Sequence, residues 1–102
     1  MQNSPSGFSD EGTITAVPTS VAVQAKDIYK FLVDTSAGDI DFSAIAAMTG
    51  VNQGATLHFK KATSDVNAIL FTDADTGAVV RFETLSDVLS LTFNGTTFDL
   101  IG

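Results

Sequence analysis

The sequence predicts a mainly β fold, namely a small antiparallel β-sandwich or barrel-like domain of about eight short strands with one short helix. Short runs of alternating apolar and polar residues, rich in Val, Ile, Thr and Phe, recur along the chain. Groups of Gly, Asn, Asp and Ser separate these runs and are typical of turns. The aromatic residues that recur nearly once per predicted strand are Phe31, Phe42, Phe59, Phe71, Phe82, Phe93 and Phe98.

Composition predicts one ordered domain with an arm. The chain has 102 residues, of which 44% are hydrophobic and 17% are charged, which is a globular rather than a disordered composition. Residues 1–12 are polar, rich in Ser, Gly, Asn and Asp, and include a single large hydrophobe, Phe8. We therefore expect an extended N-terminal arm over residues 1–12 and a single β domain over residues 13–102.

The first half of the domain contains four predicted strand segments. Residues 13–17 and 19–25 alternate but are interrupted by Pro18, which has no N–H for a sheet ladder, so an edge, a bulge or a crossover between sheets is expected there. Residues 28–34 are apolar on both faces, which is typical of a strand covered on both sides. Residues 39–42 form a further short strand.

One helix is predicted, over residues 43–50. Ser43 is a good N-cap, three alanines favour helix, and Gly50 suits the C-terminal cap. The helix would have only about two turns, so it would depend on packing.

Five more strands follow. Asn94-Gly95 is the strongest hairpin signal, since a two-residue type I′ turn needs positive φ at both centres. The predicted strands span residues 55–61, 66–72, 78–83, 87–93 and 96–101.

Charge and composition exclude several function classes. The net charge is −7, and the five basic residues are mostly scattered, so the clustered basic face of a nucleic-acid-binding protein is missing. An acidic chain has little attraction for anionic membranes, and no run of about 18 apolar residues predicts a transmembrane helix. The chain has no cysteine, which excludes disulfides and thiolate metal sites. The segment MQNSPSGFSDEG lacks the regions of a secretory signal peptide.

The acidic residues include one candidate metal site. Asp73-Ala-Asp75-Thr-Gly77 begins like a calcium loop, but the later ligand positions of that loop hold Gly77, Ala78 and Thr84. A turn stabilised by Asp side chains is the better interpretation, and we predict no metal and no cofactor.

The sequence offers few candidate catalytic residues. Asp39 and Asp41 share one face of a strand, so an acid–base pair or a cation site is an alternative, but simple alternation favours solvent-facing side chains. His58 is the sole histidine, and no Gly-x-Ser-x-Gly motif occurs. We predict that the protein is not an enzyme and has no catalytic residues.

Three short motifs carry a resemblance. They are VDTSAG at residues 33–38, GATLHFKK at 54–61 and FNGTTFDLI at 93–101. In this order they resemble a β-rich module of virion proteins of tailed bacteriophages, found in tail fibres and related particle-surface proteins. The resemblance covers about residues 28–101. The chain departs from that pattern at Phe42-Ser43, where Leu-Pro is frequent, and at Phe98, where Trp is common.

The resemblance implies a homotrimer around a threefold axis on the phage surface, and no catalytic residues. The strand Ile28–Val33 supports this, because its two apolar faces are hard to cover in so small a monomer. We therefore predict a trimer interface at Tyr29, Phe31 and Val33.

The expected function is that of a capsid decoration (cement) protein. It would be made in the host cytoplasm, bind the major capsid protein of the assembled head and stabilise it. Its arm would add to capsid strands or insert Phe8 into a groove, so partner-binding residues are predicted at Gln2, Pro5, Phe8 and Ile14. The alternatives are a tail-fibre or receptor-binding module that attaches to the host cell surface, and an enzyme that uses Asp39 and Asp41.

Overall fold

Eight strands and one 3₁₀ turn make up the fold. The computed structural model describes residues 7–101. The 3₁₀ turn spans Phe42–Ala44. The strands are β1 (Phe8–Ile14), β2 (Ile28–Val33), β3 (Ile40–Asp41), β4 (Thr56–Lys61), β5 (Ile69–Thr72), β6 (Val79–Phe82), β7 (Val88–Phe93) and β8 (Phe98–Leu100).

The strands form two sheets, which confirms the mainly β, sandwich-like prediction. The five-stranded sheet has the order β1-β2-β4-β7-β8, and the three-stranded sheet has the order β3-β5-β6. The sheets are mixed rather than purely antiparallel. β1, β2 and β4 are parallel neighbours, as are β3 and β5, whereas the other pairs are antiparallel. Parallel pairing needs long crossovers, and the segments between β1, β2 and β4 supply them.

The core lies between the inner faces of the sheets. The Phe59 ring stacks on Phe31 with a centroid distance of 4.8 Å, and it contacts Phe42 of the 3₁₀ turn at 4.4 Å. Leu57, Phe59 and Leu91 are fully buried. Aromatic side chains from several strands therefore meet in one cluster inside the monomer.

The N-terminal strands differ from the prediction. β1 begins at Phe8, so the expected boundary between arm and domain at residue 12 falls within a strand. The strand predicted over residues 19–25 is replaced by irregular backbone. β1 pairs in parallel with β2, and its register shifts between Asp10 and Thr13, where Gly12 has a φ of +77°. Pairing with β2 thus makes a strand of a polar segment whose own β propensity is weak.

The helix predicted over residues 43–50 is wrong, because only the turn Phe42–Ala44 is helical. Asp41 caps it rather than Ser43, and Ile45 is already extended, with φ −60° and ψ 129°. Ile45 and Met48 are both buried. The segment therefore contributes buried side chains to the core although it is not helical. A helix of only two turns would have had little stability of its own. Within residues 7–101, no helix has the length and apolarity needed to cross a membrane.

The hairpin predicted at Asn94-Gly95 is present but has a longer loop. Phe93 pairs with Phe98, so four residues connect β7 and β8. The Asn94 side chain accepts hydrogen bonds from the backbone N–H groups of Thr96 and Thr97, and Gly95 has a φ of +100°. The Asn side chain closes the turn by the mechanism that makes this residue common in turns.

Candidate functional site

The residues predicted at a trimer interface are buried inside the monomer. Tyr29 and Val33 are fully buried, and Phe31 is only 2% exposed. The Tyr29 hydroxyl donates to the carbonyl of Gly50 at 3.3 Å and accepts from the N–H of Lys26 at 3.1 Å. These three side chains have no surface to offer to another subunit. The prediction is wrong because the irregular segments and the second sheet cover this face of β2 within one chain.

The opposite face of the five-stranded sheet is open and mixed in character. Leu32 of β2 pairs with Lys60 of β4, and Lys60 pairs with Val88 of β7, so the three form one row across the sheet. Leu32 and Val88 are each 40% exposed. A row of two exposed apolar side chains flanking an exposed lysine is unusual for a solvent-facing sheet surface, where alternation normally places polar residues.

A second row of this face contains a histidine–serine pair. Strand pairing aligns Lys30 with His58 and His58 with Ser90. His58 Nδ1 lies 2.7 Å from Ser90 Oγ. Burial, and then the charge of Lys30, hold the pKa of His58 below its usual value, which favours the neutral imidazole. A serine beside a base is the first part of a nucleophilic site, but within residues 7–101 no carboxylate is hydrogen-bonded to the ring.

The two rows border a concavity of about 420 Å³, here called the outer groove. This volume lies within the range of ligand-binding clefts, about 300–1,000 Å³. The polar side chains that line it carry two ammonium groups, one carboxylate and one imidazole, and its other lining residues are apolar. The lining residues are Asp10, Lys30, Phe31, Leu32, His58, Lys60 and Val88.

Two other basic residues are neutralised within the chain. Lys61 is fully buried, and its ammonium donates to Asp65 at 2.7 Å and to Thr35 at 2.6 Å. Hydrogen bonds, above all from Lys61, hold the pKa of Asp65 well below its usual range. Arg81 pairs with Glu83 through a short contact. Lys60 and Lys61 project to opposite faces of β4, and of the two only Lys60 is exposed.

Strand β1 is an edge of the five-stranded sheet. Phe8 at its start is 56% exposed, and the Lys30 ammonium lies 4.5 Å above the Phe8 ring centroid. Ile14 at its end packs partly against the core. Gln2 and Pro5, the other predicted partner-binding residues, lie outside the described residues. Of the predicted partner-binding residues that the structure describes, Phe8 is the exposed one, and it lies at the edge of the sheet.

Asp39 and Asp41 have structural hydrogen bonds. Asp39 Oδ1 accepts from the N–H of Ala68 at 2.7 Å, and Asp41 Oδ1 accepts from the N–H of Ser43 at 2.9 Å. Both residues are exposed, in agreement with the predicted solvent-facing position. The Asp39 carboxylate ties its loop to the residue before β5, and the Asp41 carboxylate caps the 3₁₀ turn, so the two do not converge on a cleft.

Three carboxylates converge elsewhere, and two of them belong to the segment Asp73–Gly77 that begins like a calcium loop. Oxygens of Asp73, Asp75 and Asp99 lie within 4.8 Å of one another. Asp73 is buried, and its Oδ2 accepts from the N–H of Leu100 at 2.9 Å, which lowers its pKa and ties the β5–β6 turn to β8. Asp99 raises the pKa of Asp75 by a shared hydrogen bond and by repulsion. The group supplies three of the about six to eight oxygens that calcium takes.

Neither the His58–Ser90 pair nor the approach of Asp99 to Asp73 had a signal in the sequence. The first arises from the register of β4 with β7, and the second from the hydrogen bond that the Leu100 N–H of β8 donates to Asp73 in the turn between β5 and β6. Comparison of the chain with models of protein families, with curated proteins and with solved structures gave no match.

Proposed function

We propose that this chain is a capsid decoration (cement) protein of a bacteriophage, which binds the assembled head as a homotrimer and stabilises it. The ordered motifs of the sequence motivate the phage assignment. The observation that carries the binding role is the edge strand β1, which carries the exposed Phe8 and, among residues 7–101, pairs with β2 alone. An edge strand offers main-chain hydrogen bonds to a partner strand.

The capsid contact would use the free edge of β1 and the segment before it. Because residues 8–14 are already part of the sheet, the partner strand would extend the five-stranded sheet beyond β1. Phe8 would supply the apolar anchor, since large aromatic residues dominate the binding energy of many interfaces. Three copies of this contact per trimer would raise the overall affinity through effective concentration.

The test uses heads and tails purified separately from phage particles that lack this protein. Full-length protein should bind to heads. Phe8→Ala should lower head occupancy at limiting protein concentration by about tenfold or more, as expected for an anchor residue. Val79→Ala is the matched control, because Val79 is also an exposed strand residue, 69% exposed, but lies in the other sheet. Circular dichroism verifies that each variant is folded.

The same experiment addresses the second candidate, a tail-fibre or receptor-binding module. The order of the motifs in the sequence resembles that of tail-fibre proteins as well, and this resemblance supports the second candidate. Binding to tails and not to heads would overturn the decoration role in favour of the tail-fibre role. Head binding that is equal for the wild type and Phe8→Ala would contradict the role of the β1 edge.

A further inference from the structure

We propose that the outer groove is a subunit–subunit contact that receives an acidic surface of a second copy of this chain. The inference deepens the proposed function and rests on the homotrimer within it. It moves the expected interface from Tyr29, Phe31 and Val33 to the opposite face of the same strand, β2.

Charge is the first argument. The chain has twelve acidic and five basic residues, and Lys61 and Arg81 are paired with acids of their own chain. Lys30 and Lys60 line the groove, and within residues 7–101 neither ammonium lies within 4.0 Å of a carboxylate. These two lysines outnumber the one carboxylate of the groove, that of Asp10, so the groove is a basic spot on an acidic molecule. An acidic surface of a second copy is complementary to it.

The apolar residues of the groove are the second argument. Leu32 and Val88 flank Lys60 in one row, and both are 40% exposed. The methylene stem of Lys60 can lie along this apolar surface while its ammonium meets an acid. Interfaces commonly combine such a partly apolar centre with charged groups that fix register.

The chemistry of the groove disfavours a polyanion such as nucleic acid. Two lysines are few for phosphate neutralisation, and a net charge of −7 repels a polyanion at long range. One acidic side chain flanked by apolar groups fits better. His58 in its neutral form, hydrogen-bonded to Ser90, adds a polar wall without adding charge.

The proposed contact is heterologous, because a basic groove meets a different, acidic surface on the next subunit. Heterologous contacts form closed rings when the rotation between subunits closes. A trimer with three identical groove contacts is therefore the expected assembly.

Sedimentation velocity of the full-length protein at micromolar concentration tests the inference. The wild type should sediment as a trimer that dissociates as salt concentration rises. Lys60→Glu should weaken association by about tenfold or more, and Lys60→Arg should retain it. Lys26→Glu is the matched control, since it changes the net charge equally but lies outside the groove.

A second pair of variants removes apolar contact without changing charge. Val88→Thr should weaken association several-fold, whereas Val79→Thr, an exposed valine of the other sheet, should leave it unchanged. Near-ultraviolet circular dichroism verifies that all variants keep the native core.

The outcomes separate this inference from the proposed function. A wild-type trimer that Lys60→Glu and Val88→Thr leave intact would overturn the groove contact and leave the homotrimer standing. A wild-type monomer would overturn both the groove contact and the homotrimer. Groove variants that remain trimeric but lose head binding would show that the groove faces the capsid, which also overturns the inference.

Discussion

The two faces of strand β2 differ more than their sequence suggests. Tyr29, Phe31 and Val33 point inwards and are buried, whereas Lys30 and Leu32 point outwards and are exposed. Successive residues of this strand therefore have two different roles. The inward residues stabilise the monomer, and the outward residues are available for association. A hydrophobic residue in this strand indicates a core or an interface only when its face is known.

The largest expected effect is on the inward face. Phe59→Ala should lower the free energy of unfolding by about 3–5 kcal/mol, because it removes a ring that packs against Phe31 and Phe42 and leaves a cavity. Urea unfolding followed by circular dichroism measures the loss. A loss below about 1 kcal/mol would contradict a single closed core.

The next effect concerns the lysine on the inward face. Asp65→Asn leaves the Lys61 ammonium buried without an anionic partner, so unfolding at neutral pH should require markedly less denaturant. Lys60→Gln, which also removes one charge but from the neighbouring exposed lysine, should have little effect at a protein concentration below that of self-association. Equal losses of stability in the two variants would contradict the distinction between the buried lysine on the inward face of β4 and the exposed lysine on its outward face.

This ion pair also predicts a pH dependence. The pKa of Asp65 is lower in the folded than in the unfolded chain, chiefly because of Lys61. Such a carboxyl stabilises the fold fully above its unfolded pKa of roughly 3.9, and this contribution is lost as pH falls towards the folded value. The stability difference between the wild type and Asp65→Asn should therefore shrink below about pH 4. A difference that stays constant down to pH 2 would contradict this.

A smaller effect is expected from the outward apolar residue. Leu32→Thr should change the free energy of unfolding by less than about 1 kcal/mol, because 40% of this side chain is already in contact with solvent. Chemical denaturation at a protein concentration below that of self-association isolates the monomer. A loss as large as that of Phe59→Ala would place Leu32 in the core rather than on the outer face.

The smallest effect is on the protonation of the outer groove. Lys30→Gln should raise the pKa of His58 towards its ordinary value, since the second cause that lowers it is the charge of Lys30. The pKa should remain below the ordinary value, because burial is the first cause and stays in place. An NMR titration of the imidazole measures the shift. An unchanged pKa would mean that Lys30 does not face His58.

Local signals in the sequence predicted part of this structure and missed the rest for a physical reason. Alternation gave β2, β4 and β7 nearly to the residue, and the Asn94-Gly95 pair marked a real hairpin. Strand partners depend on contacts between distant segments, so the parallel pairing of β1 with β2 left no local pattern.

The same limit applies to the candidate site. Phe8 could be singled out as the large hydrophobe of a polar segment, and the structure leaves it exposed. The outer groove could not be found in this way, because Lys30, Lys60 and Val88 come together only through the register of three strands. The assignment of Tyr29 to an interface was wrong for a related reason: the cover of its face comes from segments without regular structure.

Hydroxyl-radical footprinting of the full-length protein, dilute and assembled, tests the division between the two faces most directly, since it reads single side chains. We predict that Tyr29 and Phe31 are unreactive in both states, whereas Leu32 reacts in dilute protein and is protected on assembly. Val79 should react equally in both states and serves as the control. Reactive Tyr29 and Phe31 in dilute protein, protected on assembly while Leu32 stays reactive, would contradict the account.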